Sequence, residues 1–234
     1  MCGISGFIAF TGKSTILKHI EQMNKQIRHR GPDDEGYYCL TSDGEALVLA
    51  GSDSAKNQAP NLTPYFPSQQ IANHQGKPIS FAFGHRRLSI LDLSPFGHQP
   101  LSIDNNNYWI SYNGEVYNYL EIRQELETLG HKFVSHSDTE VILAAYKQWG
   151  KQCLAKFNGM FALLIYDAIN KQVFIARDRF GVKPLYYFSD ENGVYLASEI
   201  KQFAKLASWQ PYLNHQIAHD FLVYGLSDHT SQTM

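Results

Sequence analysis

Paired apolar strands joined by short polar turns dominate the second half of this chain. The stretch "MFALLIYDAINKQVFIAR" contains two strand-like runs separated by a turn around residues 168–171. A second pair, "LYYFSD" and "VYLASE", is joined by Glu191-Asn192-Gly193, and Asn-Gly is a strong hairpin signal. Strands joined by such turns run antiparallel. The sequence therefore predicts antiparallel sheets and not a doubly wound parallel sheet.

Helices are predicted in a separate block, packed outside the sheets, which gives an α+β fold. Ser14 is expected to cap a first helix, whose apolar stripe is Ile16, Ile20, Met23 and Ile27. Residues 119–129 form the next helix. The clearest start signal is Ser137-Asp138-Thr139-Glu140, which matches a capping box and predicts a helix that ends at Gly150.

The segment 40–80 is the least regular part of the chain, with several prolines and asparagines between its apolar residues. Such a composition favours turns and loops. We expect a surface insertion that contains one short hairpin.

Composition and charge exclude several classes of protein. The chain has 234 residues, of which 44% are hydrophobic, and this is enough for one large domain. Its net charge is −2 and its basic residues are scattered, so neither nucleic acid nor an anionic membrane surface is an expected partner. No apolar run is long enough to span a bilayer. The cysteines show no metal-ligand spacing, and we expect reduced thiols in a cytoplasmic protein.

Cys2 is the clearest candidate for a catalytic residue, because it directly follows the initiator Met1. Once Met1 is removed, this residue carries both a thiol and the free α-amine. An α-amine titrates near pH ~8, so it can act as general base to its own thiol, directly or through one water. Acyl transfer would then require an oxyanion hole and groups that hold the substrate.

Polar residues grouped at strand ends are the candidates for these tasks. "SYNGEVYN" interrupts an aromatic strand with Asn113-Gly114-Glu115, and the Asn113 amide and the Gly114 N–H could both face an oxyanion. Arg86 and Arg87 lie in a strand, which sends them to opposite faces. One guanidinium is then solvated, while the other enters a pocket and suits a carboxylate. Asp138, at a helix N-terminus, is well placed for an ammonium. Each feature alone also has an ordinary structural explanation, as a turn, a surface ion pair or a dipole partner.

These residues lie in four of eight motifs that follow one another along the chain. The motifs are "MCGISGF", "RHRGPDDEG", "GHRRLSILDL", "GHQPL", "YNGEVYN", "SDTEVIL", "GMFALLIYD" and "RDRFGVKPLYY". The chain resembles the glutaminase domain of glutamine-hydrolysing asparagine synthetases, which are class II glutamine amidotransferases among the N-terminal nucleophile hydrolases. The resemblance implies a four-layer α/β/β/α sandwich of two antiparallel sheets.

The resemblance also implies a role for each candidate. Cys2 matches the nucleophile, Asn113 and Gly114 match the oxyanion hole, and Arg87 matches the residue that binds the glutamine α-carboxylate. Asp138 matches the partner of the α-amine, and Glu115 matches a further residue that lines the pocket. The implied reaction hydrolyses glutamine to glutamate and ammonia through a thioester on Cys2, with no cofactor or metal in this chain.

The resemblance divides the chain into a glutaminase domain over residues 1–210 and a helix with the start of a linker over residues 211–234. In the family, a C-terminal synthetase domain that uses ATP and magnesium follows, and its phosphate-binding motif is absent here. We therefore expect a fragment of a longer protein that amidates aspartate. An acceptor of another kind, a sugar or a peptide carboxylate, stays open, as do a homodimer and a catalytically silent regulatory module of the same fold.

Overall fold

The structure is a computed structural model that describes residues 1–54, 63, 65–226 and 230. In the longer strands, successive side chains face opposite sides of the sheet. The strands are β1 (Gly3–Ala9), β2 (Thr15–Ile16), β3 (Asp34–Thr41), β4 (Ala46–Ala50), β5 (Gln69–Gln70), β6 (Pro78–Arg87), β7 (Leu101–Ile103), β8 (Tyr108–Val116), β9 (Gly159–Asp167), β10 (Gln172–Arg177), β11 (Tyr186–Ser189) and β12 (Gly193–Ala197). The α-helices are α1 (Leu17–Gln26), α2 (Tyr119–Thr128), α3 (Asp138–Trp149) and α4 (His215–Tyr224).

The strands form two sheets. The larger has eight strands, in the order β11-β12-β1-β6-β3-β4-β5, with β2 paired to β6 beside this path. The smaller has four strands, in the order β10-β9-β8-β7. The pairings are antiparallel except the short pair of β4 and β5, which is parallel. The hairpins β9–β10 and β11–β12 lie where the sequence predicts them.

The two sheets face each other, and the helices cover their outer faces. Tyr38 of the larger sheet stacks on Trp109 of the smaller one, with ring centroids 3.9 Å apart. On the opposite face of the larger sheet, Tyr37 and Cys39 pack in a second core with residues of α1, such as Ile20. Helices α2 and α3 pack against the smaller sheet. The predicted α/β/β/α order of layers is confirmed.

Ser14 does not cap the first helix, so that prediction is wrong. Thr15 and Ile16 instead pair with the first residues of β6, and α1 begins only at Leu17. The N–H groups of Leu17 and Lys18 donate to the carbonyls of Lys77 and Gln75, at 3.1 and 3.0 Å. Since backbone carbonyls satisfy these first donors, the helix needs no side-chain cap.

The capping box of α3 forms in one direction only. The Ser137 side chain accepts a hydrogen bond from the Glu140 N–H, as predicted. The Glu140 carboxylate does not return to Ser137 but accepts from the N–H groups of Val134 and Ser135, at 3.0 and 2.7 Å. It therefore fixes the loop that precedes the helix.

Part of segment 40–80 belongs to the core, which corrects the prediction of a surface insertion. The predicted hairpin exists, but β4 is a strand of the larger sheet, and Leu47 and Leu49 are buried. Ile71, Tyr65 and Phe66 are buried as well. Residues 55–62 and 64 of the predicted insertion lie outside the described residues.

Helix α4 lies within the segment 211–234 that the sequence assigns to a helix and linker. Most of its apolar side chains, such as Leu222 and Tyr224, are exposed, whereas Ile217 is buried. Among the helices that the structure describes, none has the length and apolar character needed to cross a membrane.

Candidate active site

A cavity of about 300 Å³ opens at one end of the gap between the two sheets. The larger sheet contributes the residue before β1 and the end of β6, and the smaller sheet contributes the end of β8. The N-terminus of α3 closes a further side. All six candidate residues line this one cavity: Cys2, Arg87, Asn113, Gly114, Glu115 and Asp138.

Cys2 is held at the cavity by the pairing of β1 with β6. Gly3 lies opposite Arg86, which brings Cys2 beside Arg87 and Leu88. The Cys2 sulfur accepts a hydrogen bond from the Leu88 N–H at 3.4 Å. The Cys2 carbonyl accepts one from Nε of Arg30 at 2.9 Å, which fixes the main chain next to the thiol.

The thiol of Cys2 is held in its protonated form by its surroundings. Burial raises its pKa above the usual range, and the Asp138 carboxylate acts in the same direction. The Leu88 N–H, the terminal ammonium of Met1 and the Arg87 guanidinium lower the pKa of the thiol but do not cancel the effect of burial. A buried thiol of this kind needs a base before it can act as a nucleophile.

The two arginines of β6 point to opposite faces, as alternation requires. Arg87 is on the face toward the smaller sheet and lines the cavity. Arg86 lies under α1, where Nε donates to the Asn24 carbonyl at 3.3 Å. The expectation that one guanidinium is solvated is wrong, because Arg86 is fully buried in ion pairs with Glu35 (2.5 Å) and Asp53 (2.8 Å).

The Arg87 guanidinium is oriented by the loop that follows its strand. Nη1 donates to the Ser94 carbonyl at 3.2 Å, and Nη2 donates to the Asp92 carbonyl. A Cβ at Gly97 would collide with Nη2, so a side chain there would displace the guanidinium from this position. These contacts leave Nε and the remaining N–H groups for a ligand.

Three N–H groups along β8 face away from β9. Tyr112 N–H donates to Oε1 of Gln99 at 2.7 Å, and Val116 N–H donates to Oδ2 of Asp138 at 3.0 Å. Gly114 lies between them and has the same orientation. Phe161 lies opposite Gly114 on β9. The N–H and carbonyl of Phe161 are both bonded to Asp178 and not to Gly114, so the Gly114 N–H faces away from β9. The Gly114 N–H therefore points past the end of β7 into the cavity.

The Asn113 side chain adds a second donor. Its Nδ2 is buried and has no hydrogen-bond partner in the described part of the chain. Gly114 itself cannot carry a side chain, because a Cβ would collide with the carbonyl of Met160. Both residues line the cavity, and two donors at adjacent residues can stabilise a negatively charged oxygen.

Asp138 is anchored between α3 and β8. Its Oδ2 accepts hydrogen bonds from the Tyr112 hydroxyl at 2.8 Å and from the Val116 N–H at 3.0 Å. Burial raises the pKa of Asp138, although both donors act against this. Glu115 is half-buried on the same side of the cavity.

Sequence reasoning missed three residues that shape the site. Gln99 joins β8 to α3, because its Nε2 also donates to Oγ1 of Thr139 at 3.3 Å. Arg30 fixes the Cys2 carbonyl, and Lys183 contributes a largely buried basic side chain to the cavity wall. Each lies in one of the eight motifs, but only the fold shows that these motifs meet. Across the described residues, no group of three or more His, Cys, Asp or Glu side chains could hold a metal ion.

Comparison with known protein families identifies the chain. A family model described as "Glutamine amidotransferase domain" matches residues 1–51 and 69–234. The chain belongs to this family. The unmatched residues 52–68 of this glutamine amidotransferase domain fall inside the predicted insertion, whereas β4 falls outside them.

Curated relatives of this amidotransferase domain are much longer proteins. Asparagine synthetase (glutamine-hydrolyzing) 1 of Bacillus subtilis is 39% identical over an alignment of 206 residues, and the match covers 86% of this chain and 26% of the relative. A putative asparagine synthetase (glutamine-hydrolyzing) 2 of Methanocaldococcus jannaschii is 38% identical over an alignment of 217 residues, and the match covers 86% of this chain and 34% of the relative. The chain thus spans about a third or less of these proteins.

A solved structure supports the fold of the domain. Glutamine phosphoribosylpyrophosphate amidotransferase of B. subtilis, complexed with ADP and GMP, superposes with a TM-score of 0.66 at 24% identity. The match covers 87% of this chain and 43% of that one. The likeness is one of fold, and it agrees with the two facing sheets described above.

Proposed function

We propose that this chain hydrolyses glutamine to glutamate and ammonia through a thioester on Cys2. The observation that carries the proposal is the placement of two hydrogen-bond donors at the cavity of the thiol. The Asn113 Nδ2 is buried without a partner, and the Gly114 N–H faces the same cavity. An unpaired buried donor is unfavourable by about 1–3 kcal/mol, and a bound oxyanion would remove this penalty.

The charged residues of the cavity match the ends of an amino acid. Arg87 offers a guanidinium to an α-carboxylate, and Asp138 offers a carboxylate to an α-ammonium. Glu115 also lines this cavity. A ligand held at these two points extends its side-chain amide toward Cys2, and glutamine has the neutral amide that such a nucleophile requires.

Activation of the thiol depends on the chain terminus. Because burial raises the pKa of Cys2, the thiol is protonated at neutral pH and needs a nearby base. Removal of Met1 would give Cys2 a free α-amine, which accepts the thiol proton directly or through one water. This mechanism requires neither a metal nor a nucleotide.

The reaction then proceeds in two steps. The Cys2 sulfur attacks the amide carbon of glutamine, and Asn113 and Gly114 donate to the oxyanion that forms. The C–N bond breaks, the α-ammonium returns its proton to the leaving nitrogen, and ammonia departs from the γ-glutamyl thioester. Water next attacks the thioester, the C–S bond breaks, and glutamate and the free thiol are released.

The ammonia would serve an amidation carried out by a longer protein. The B. subtilis and M. jannaschii relatives are named as asparagine synthetases and extend far beyond the matched region. We infer that the intact protein uses ATP and magnesium in a C-terminal domain to amidate aspartate in the cytoplasm. An acceptor of another kind and a silent regulatory module are the competing interpretations. Product analysis of this chain tests the silent module, and product analysis of a protein that includes the C-terminal domain tests the acceptor.

The test is product analysis of the 234-residue chain supplied with glutamine, with and without ATP and magnesium. We expect equal amounts of glutamate and ammonia in both cases and no asparagine when aspartate is added. Cys2→Ala should abolish the reaction, whereas Cys153→Ala, at a buried cysteine outside the cavity, should retain it. A silent module would release no glutamate, and an absolute requirement for ATP would overturn the assigned site.

A further inference from the structure

Lys183 places a basic side chain at the same cavity as Cys2. The residue is 7% exposed and lines the cavity wall, as does Met160. Its ammonium makes no hydrogen bond or ion pair with any residue that the structure describes. Glu115 also lines the cavity, but no ion pair joins it to Lys183.

A compact turn fixes the position of Lys183. The Asp178 carboxylate accepts hydrogen bonds from the N–H groups of Phe180 (3.1 Å), Val182 (2.9 Å) and Lys183 (2.9 Å). Nε of Arg177 donates to the Lys183 carbonyl at 2.7 Å. The side chain therefore starts from a backbone that is held on both sides, and its direction toward the cavity is built into the fold.

This turn is connected to the strand end that carries the oxyanion donors. The Phe161 N–H donates to the same Asp178 carboxylate at 3.2 Å. Phe161 lies opposite Gly114, and Met160 lies opposite Glu115. The backbone of Lys183 is thus tied, through Asp178 and Phe161, to the strand end that carries Gly114 and Glu115.

The Lys183 ammonium lines the cavity without a counter-charge from the described residues, so it can pair with a negative charge on a ligand. The two charges of the glutamine backbone are matched by Arg87 and Asp138, and the glutamine side chain is neutral. Glutamine binding therefore leaves Lys183 without a counter-charge. The ligand side chain becomes negative only in the tetrahedral adduct and in the product, whose side chain ends in a γ-carboxylate.

We propose that Lys183 binds the negative charge that hydrolysis creates on the ligand side chain. The inference rests on the proposed function and adds a residue to it. Lys183 favours the adduct and the γ-carboxylate of glutamate over the neutral amide of glutamine. Such a preference promotes the chemical step, since it acts on the charged states and not on the bound substrate.

The test is calorimetric binding in a Cys2→Ala background, in which no turnover occurs. L-Glutamate and L-glutamine are titrated into the chain with Lys183 intact and into Lys183→Met, Lys183→Gln and Lys183→Arg. Coupling of a close charge pair of 1.5 kcal/mol or more corresponds to about tenfold in Kd. We expect Kd for glutamate to rise about tenfold or more in Lys183→Met and Lys183→Gln, and Kd for glutamine to change less than about threefold. Lys183→Arg should restore glutamate binding.

If Lys183 had a purely structural role, its substitution would raise Kd for glutamate and for glutamine by the same factor. That outcome would overturn the inference, as would an unchanged Kd for both ligands. Thermal melting of each variant shows which ones are folded, and Lys183→Gln keeps a polar head group if Lys183→Met is unstable. The titrations need no catalysis. A chain that fails to hydrolyse glutamine but still shows the Lys183-dependent preference for glutamate would refute the proposed function and leave this inference standing.

Discussion

The hydroxyl of Tyr112 donates a hydrogen bond to Oδ2 of Asp138 across 2.8 Å. Tyr112 belongs to β8 and Asp138 begins α3, so this bond joins the smaller sheet to its covering helix at the cavity. The same Oδ2 accepts from the Val116 N–H. The carboxylate is thereby held in one orientation, with its charge toward the place assigned to the α-ammonium of the substrate.

Removal of this hydroxyl should weaken substrate binding. A hydrogen bond to a charged group contributes about 1.5–3 kcal/mol, so Tyr112→Phe should raise KM for glutamine about tenfold. The hydroxyl also lowers the pKa of Asp138, so its loss should move the acid limb of kcat/KM to higher pH. Steady-state kinetics over a range of pH measures both effects.

Tyr195→Phe is the matched control. Its hydroxyl is also buried and donates to Oγ1 of Thr15 at 3.0 Å, away from the cavity. This variant should lose a comparable amount of stability and keep its KM. If both tyrosine variants changed KM equally, the hydroxyl of Tyr112 would have no specific role.

Asp138 should reduce the stability of the empty protein at neutral pH. Burial raises its pKa in the folded chain, so the folded state binds this proton more tightly than the unfolded state. The resulting stabilisation is present below the unfolded pKa, and it is lost as the pH rises through the raised pKa of the folded state. Asp138→Asn removes this dependence and keeps an oxygen that accepts from Tyr112 and Val116.

Urea unfolding between about pH 4 and pH 7 tests this account of Asp138. The free energy of unfolding of Asp138→Asn, relative to the unsubstituted chain, should increase with pH over this range. Its KM for glutamine should rise strongly, since an amide cannot pair with an ammonium. A variant that is less stable at pH 7 than at pH 4, relative to the unsubstituted chain, would contradict the assigned pKa direction.

Asn113 should matter for catalysis and not for stability. Its Nδ2 has no partner in the described residues, so Asn113→Ala removes no hydrogen bond made by that amide nitrogen in the empty protein. Loss of one oxyanion donor lowers kcat by about 10²–10³-fold, and KM should change little. Ser111→Ala, two residues earlier on the same strand, is the control because Ser111 is buried but does not line the cavity. An equal loss of kcat in both variants would refute the oxyanion role.

Substitution of the two arginines of β6 should have different effects, on kinetics for Arg87 and on stability for Arg86. Arg87→Ala removes a charge-assisted contact to the substrate and should lower kcat/KM about 30-fold or more, with a folded protein. Arg86→Ala leaves the Glu35 carboxylate buried without its partner, which reduces stability by about 3–5 kcal/mol. Denaturant unfolding together with kinetics on the folded fraction separates the two effects. Wild-type stability in Arg86→Ala would show that the buried ion pair contributes nothing.

The sequence predicted the features of the fold that depend on neighbouring residues. Asn192-Gly193 specifies a tight turn, and the alternation along β6 separates Arg86 from Arg87. Ser137 caps α3 because its hydroxyl reaches a donor three residues away. In each case the interacting groups are close in sequence, so the pattern contains the information.

The features that were predicted wrongly or missed from the sequence depend on contacts between distant segments of the chain. Ser14 has the right residue type for a cap, but the strand pairing of Thr15 with Ile79 displaces the start of the helix. The ion pair that buries Arg86 depends on Glu35 in a neighbouring strand. Gln99 and Lys183 reach the cavity only because the two sheets face each other. No local pattern states these relationships.

The state of the chain terminus provides the most direct test of the central claim that Cys2 hydrolyses glutamine with its own α-amine as base. Two preparations of the same chain are compared, one that begins at Cys2 and one that retains Met1, each verified by mass spectrometry. Retained Met1 converts the α-amine of Cys2 into an amide without a basic lone pair. The measurement is glutamate release, with detection of a γ-glutamyl adduct on Cys2 in the intact mass. We predict glutamate release and the adduct in the chain that begins at Cys2 and neither in the chain that retains Met1. Equal rates in the two preparations would contradict the account.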